Sequence, residues 1–69
     1  MPSPPVSLAA QTFGERVRAR RQELGLTQEQ LAEACGLHWT FIGQVERGRR
    51  NISLHNILKI AEGLQLDPA

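Results

Sequence analysis

The sequence predicts an all-α fold, a compact bundle of four to five short helices. Three observations carry that reading. Side chains that cap helix starts recur, with Thr27 followed three residues later by Gln30, and Ser53 standing before Leu54. Apolar residues return at helical spacing, as in Leu31, Ala32 and Cys35. Glycines at 25, 36 and 48 fall where each helical pattern runs out. Sixty-nine residues allow a single domain, and a chain this short buries only about 60% of its unfolded surface.

Taken in order, residues 1–7 (MPSPPVS) hold three prolines and no charge, and read as a disordered tail ahead of a domain spanning residues 8–69. The first helix is expected from about Leu8 to Leu24. Phe13, Val17 and Leu24 share a face, flanked by Arg20 and Arg21. Gly14 weakens this helix by about 1 kcal/mol relative to Ala and permits a close helix contact. Arg21 lies beside the buried stripe, so it must be paired or must reach out to solvent.

The second helix is expected at 28–35. Thr27 and Gln30 form its capping box, and Glu29 places negative charge at the positive end of the helix dipole. Gly36 stops it, with Leu37 folding back onto Leu31 or Ala32. A third helix runs from about 39 to 46. Ile42 and Val45 make its inner stripe, which Phe41 shares, and Trp39, Thr40, Gly43, Gln44 and Arg47 point outward. Gly48 ends it, and the loop 47–52 (RGRRNI) is basic and turn-rich. Ser53 caps a fourth helix over about Leu54 to Glu62. Leu54, Ile57, Leu58 and Ala61 are its expected core face, with Ile60 and Leu64 to one side. Asp67-Pro68 has the form of an N-cap and first position of a fifth helix.

Composition narrows the function. A 41% hydrophobic, 22% charged chain argues against disorder. Net charge is only +1, yet seven of the eight cations fall in two clusters, Arg16, Arg18, Arg20 and Arg21, then Arg47, Arg49 and Arg50. Such local clustering is the footprint a nucleic-acid backbone requires. The single cysteine, Cys35, allows no intrachain disulfide and reads as a small buried hydrophobe. No apolar run approaches a membrane span and no signal pattern opens the chain, so a cytoplasmic protein is expected. His38 and His55 have no third ligand nearby, so no metal site is expected. There is no phosphate-binding glycine loop and no Ser-His-Asp set, and no cofactor, small-molecule site or enzyme activity is expected.

Helix, short glycine turn, helix is the unit that lays its second helix in a DNA major groove. Residues 27–48 with their flanks resemble the helix-turn-helix family of phage repressor and Cro proteins (XRE-type) and the bacterial regulators similar to them. The shared features are Arg21, Leu26-Thr27-Gln28-Glu29, Leu31-Ala32, Gly36, and Ile42 to Gly48 with Val45-Glu46. The likeness continues through Arg50-Asn51-Ile52-Ser53-Leu54 to Pro68, over roughly residues 12–68. The "ERGRRNISL" run is especially similar to the controller proteins of restriction–modification systems.

The resemblance implies a lambda-repressor-like domain that binds double-stranded DNA as a transcriptional regulator, a repressor, dimeric on a pseudo-palindromic operator. It implies an Arg21–Glu46 ion pair and a phosphate contact at Gln28, where a helix N-terminus also favours an anion. On the third helix, Gln44 has the geometry to pair bidentately with adenine, and Thr40 and Trp39 to meet a base, a thymine methyl or a sugar. Gly43 permits close approach. Arg47, Arg49, Arg50 and Asn51 suit the sugar-phosphate backbone. The chain departs from the family at His38, a poor N-cap that is free to contact phosphate instead, and at Phe41, where tyrosine is frequent. Two other readings share these residues: an antitoxin-like protein-interaction module, and the DNA-targeting domain of a longer enzyme or regulator. The dimer surface is expected from the fourth helix, Leu64 and Leu66.

Overall fold

The caps read from the sequence set the helix starts. In the computed structural model, which describes residues 6–66, the order is α1 (Leu8–Glu23), α2 (Gln28–Cys35), α3 (Trp39–Glu46) and α4 (Leu54–Gly63). Asp67-Pro68, and with it any fifth helix, lies outside the described residues, as do residues 1–5 of the expected tail. The last two residues of that tail are structured. Ser7 Oγ accepts from the Ala10 N–H at 3.0 Å and so N-caps α1, and the Val6 N–H donates to Gly48 O at 2.8 Å. A Ser directly before an apolar run is itself a cap signal.

Thr27 and Gln30 close a complete capping box on α2. Thr27 Oγ1 accepts from the Gln30 N–H at 3.1 Å, and Gln30 Oε1 accepts from the Thr27 N–H at 2.8 Å. Gly36 ends α2 at φ 70°, in the left-handed region where any Cβ is strained, and the Leu37 N–H returns to Ala32 O. That glycine sets the sharp turn from which α3 departs. His38 corrects one expectation. Its Nδ1 accepts from the Thr40 N–H at 3.1 Å, so it does cap α3. A neutral imidazole nitrogen carries a lone pair and serves where an aspartate or serine oxygen would.

The core is built by Val17 of α1, Leu31, Ala32 and Cys35 of α2, Ile42 and Val45 of α3, and Ile60 with Leu64 of α4 and its cap. Phe13, Leu24, Leu37, Phe41 and Ile52 pack around it. α3 rests on both α1 and α2, and α4 on α2. Two glycines allow the closest approaches. A Cβ on Gly14 would overlap Val45 O and reach 2.9 Å from Glu46 O, so α1 lies against the backbone end of α3. A Cβ on Gly63 would overlap the Cys35 sulfur. Burial, followed by the nearby Glu62, pushes the Cys35 thiol above its ordinary range.

The rotation of α4 differs from expectation. Ile60 and Leu64 are fully buried, whereas Leu54 is 70% and Leu58 44% exposed, with Ile57 and Ala61 half-buried. α4 carries one wide apolar arc, running from Ile60 through Leu64, Ile57, Ala61 and Leu54 to Leu58, with His55, Asn56, Lys59 and Glu62 opposite, so spacing alone leaves open which part of the arc faces the core. The Gly63–Cys35 approach selects the Ile60, Gly63, Leu64 face. Leu64 is therefore unavailable to a second chain, while Leu66 remains 45% exposed. No helix among the described residues is long and apolar enough to cross a membrane.

Candidate nucleic-acid interface

α3 divides as its sequence demands. Ile42 and Val45 are buried to within 1% and anchor one side, while Trp39 (52% exposed), Thr40 and Arg47 stand in solvent on the other. A helix carrying its only tryptophan half-exposed, stacked on His38 with ring centroids 5.9 Å apart, leaves a mixed apolar and polar surface open to solvent.

Glu46 fixes the far end of this helix. A carboxylate in the last turn opposes the helix dipole, and burial adds a desolvation cost, so it must be compensated. Arg21 of α1 compensates it with a bidentate fork: Nε donates to Oε2 at 2.6 Å and Nη2 to Oε1 at 3.0 Å. Its third nitrogen, Nη1, donates to Leu26 O at 2.8 Å. The Glu46 bond raises the Arg21 pKa against the opposing effect of burial, so the guanidinium stays charged. α1, the α1–α2 turn and α3 are thus locked by one arginine.

Gln28 joins this cluster, which its sequence position as a first helical residue did not disclose. Its Nε2 donates to Glu46 Oε1 at 3.2 Å, tying the α2 N-terminus to α3. Gly43 also differs from expectation. It is buried, because the Arg47 and Gln28 side chains converge over it; a Cβ there would lie 3.4 Å from Arg47 Nη2 and 3.5 Å from Gln28 Oε1. What approaches the glycine is protein side chain from two helices. Beside this cluster, Arg21, Thr27, Gln28, Glu29 and Trp39 line an open depression at the N-termini of α2 and α3.

Gln44 is half-buried and already engaged. Its Oε1 accepts from Arg50 Nε at 2.7 Å, and the Arg50 guanidinium lies 5.7 Å from the centre of the Phe41 ring. Arg49 is partly buried and its Nε has no protein partner, while its backbone N–H donates to Gln44 O at 2.9 Å. Asn51 is exposed at the end of the same loop. The structure thus brings Gln28, His38, Trp39, Thr40, Gln44, Arg47 and Arg50 onto or beside the outer side of α3, while Asn51 lies with Ser7, Ala9, Phe13 and Ile57, toward the start of α1 and α4.

The first arginine cluster does not act as a unit. Arg21 is consumed by Glu46, and Arg20 donates from Nε to Leu64 O at 3.2 Å and pairs with Glu23, capping the end of α4. Arg16 lies beside Phe13, Val17, Leu64 and Leu66. Successive helical residues turn by about 100°, so four arginines within six positions cannot share one face. No sequence signal foretold the Arg20–Leu64 bond, since its acceptor is a main-chain carbonyl in another helix. Among the described residues no group of three or more His, Cys, Asp or Glu side chains gathers as a metal would need.

Known proteins match this arrangement. The Helix-turn-helix family model matches residues 17–69. Control protein C.BamHI of Bacillus amyloliquefaciens is 47% identical over 57 residues, covering 81% of this chain and 70% of that protein. The crystal structure of the restriction–modification controller protein C.AhdI from Aeromonas hydrophila superposes with a TM-score of 0.86 at 47% identity, over 90% of this chain and 94% of that one. The restriction–modification controller protein C.Esp1396I, solved as a tetramer in complex with its natural 35 base-pair operator, superposes equally well at a TM-score of 0.86 and 31% identity, over 90% of this chain and 82% of that one.

Proposed function

The chain belongs to the helix-turn-helix family, and from that premise we propose that it is a controller-type transcriptional regulator that binds double-stranded DNA in a sequence-specific manner. α3 is the recognition helix. The observation that carries this reading is its two-sided character, with Ile42, Val45 and the Arg21-bound Glu46 buried while Trp39, Thr40 and Arg47 face solvent. A helix held that rigidly on one side offers the other to a groove without reorganisation.

The roles follow from position. Trp39 and Thr40, in the first turn of α3, reach base edges and thymine methyls, and Gln44, one turn on, reaches a neighbouring base edge. Gln28, His38, Arg47, Arg49, Arg50 and Asn51 border them and hold the sugar-phosphate backbone. The protein works as a homodimer on a pseudo-palindromic operator, with the exposed Leu54, Leu58 and Leu66 side covered by the second copy. Bound across a promoter, it represses. It performs no catalysis and acts in the cytoplasm, at the nucleoid.

Selection of bound duplexes from a random DNA pool tests this. Enrichment of one sequence with two related half-sites is expected. A protein that retains no duplex, or retains all equally, is not a sequence-specific regulator.

A further inference from the structure

Resting on that reading, we propose that Arg50 is a positioning residue for base recognition: it holds the Gln44 amide with its nitrogen turned to the groove, so that Gln44 reads a guanine. A glutamine amide has one acceptor oxygen and two N–H donors, and free rotation lets either face a base. Here the choice is made before DNA arrives. Arg50 Nε donates to Gln44 Oε1 at 2.7 Å, a charge-assisted bond. Arg50 is itself placed, because its guanidinium lies 5.7 Å from the centre of the Phe41 ring, and Phe41 is packed against the core. Phe41 thus locates Arg50, and Arg50 locates Gln44.

The base preference follows from what remains. Bidentate pairing with adenine needs the amide oxygen to accept from N6 and the nitrogen to donate to N7. That oxygen keeps a second lone pair, but the adenine N6 hydrogens that would use it would point toward the cation that holds the first. Guanine instead shows two adjacent acceptors, N7 and O6, between which one Gln44 Nε2–H can be shared. The Arg50 charge favours those acceptors as well. The contact is exposed in the free protein, where water weakens it, and docking on DNA removes that water.

The test starts from the duplex enriched by the wild-type chain. Gln44→Ala identifies the base pair that Gln44 reads, as the one whose preference relaxes. Affinities are then measured at low salt for duplexes carrying each of the four pairs at that place, with wild type, Arg50→Ala, Arg50→Lys and the Gln44→Ala/Arg50→Ala double variant. Wild type should prefer G·C. Arg50→Ala should lower guanine-over-adenine discrimination about tenfold at that pair alone. Arg50→Lys should restore affinity for all sequences without restoring the discrimination, since an ammonium on a flexible stem is a mobile point charge, not a planar group fixed beside Phe41 with its Nε on Gln44. The double variant should discriminate no worse than Gln44→Ala. An adenine preference in wild type, or uniform weakening by Arg50→Ala with discrimination intact, overturns the proposal and leaves the DNA reading standing. Failure of the wild-type chain to enrich any duplex overturns both.

Discussion

Gly14 and Gly43 both occupy helix interiors, where alanine is favoured by about 1 kcal/mol, yet their surroundings demand opposite outcomes. At Gly43 a Cβ would meet only side-chain ends at 3.4 and 3.5 Å, an ordinary contact. Gly43→Ala should therefore stabilise the fold by up to about 1 kcal/mol, read as a higher Tm. At Gly14 the obstacle is the backbone of Val45 and Glu46, which cannot swing aside. Gly14→Ala should lower stability by about 1–3 kcal/mol through overpacking. Equal Tm shifts in the two variants would contradict the packing described. Cys35 carries a pH signature of its own. Its folded-state thiol is raised by burial, so the unfolded chain releases that proton first as pH rises. Stability should fall as pH climbs through and above the ordinary thiol range, and the fall should be shallower in Cys35→Ala when urea midpoints are compared across that range.

Helix starts were legible because their signals are local: Thr27 with Gln30, and Ser53 before Leu54, act within one turn. The inner side of α3 was legible because Ile42 and Val45 stand three residues apart, with Phe41 beside them, in a helix otherwise lined by polar groups, glycine and one tryptophan. α4 was not, since its apolar arc is wider than the strip it buries and a glycine facing Cys35 decides which part goes inward. His38 caps α3 against its low cap propensity, because propensity averages hide what a neutral imidazole nitrogen can accept. At the interface, the residue types were readable but their mutual bonds were not. Arg50 with Gln44 and Gln28 with Glu46 join residues whose distance depends on how the helices pack. The Arg21–Glu46 pair joins α1 to α3 and gives the element scale its sharpest expectation. Arg21→Ala strands a buried carboxylate and should destabilise the fold by about 3–5 kcal/mol. The Arg21→Ala/Glu46→Gln double variant should recover part of that loss in denaturant melts. Additive losses would mean that the two residues do not act as a pair.

At the scale of the whole molecule, residues 6–66 offer one helix, α3, for the groove reading proposed above, and such a helix reaches only a few base pairs. Specificity on a genome demands more contact than that, and two-fold pairing supplies it. The exposed leucines of α4 offer apolar surface for such pairing, away from the buried Ile60 side. Because Arg47 stands on the outer side of α3 and Arg49 and Arg50 follow it in the adjoining loop, binding should weaken steeply with salt, by about one logarithmic unit per phosphate neutralised for each tenfold rise. A salt-insensitive affinity would favour a protein-interaction module instead. Footprinting of the wild-type chain on its enriched duplex tests the recognition-helix dimer most directly. Two protected half-sites about 10 base pairs apart are expected. One asymmetric half-site, occupied by a single chain at full affinity, would contradict it.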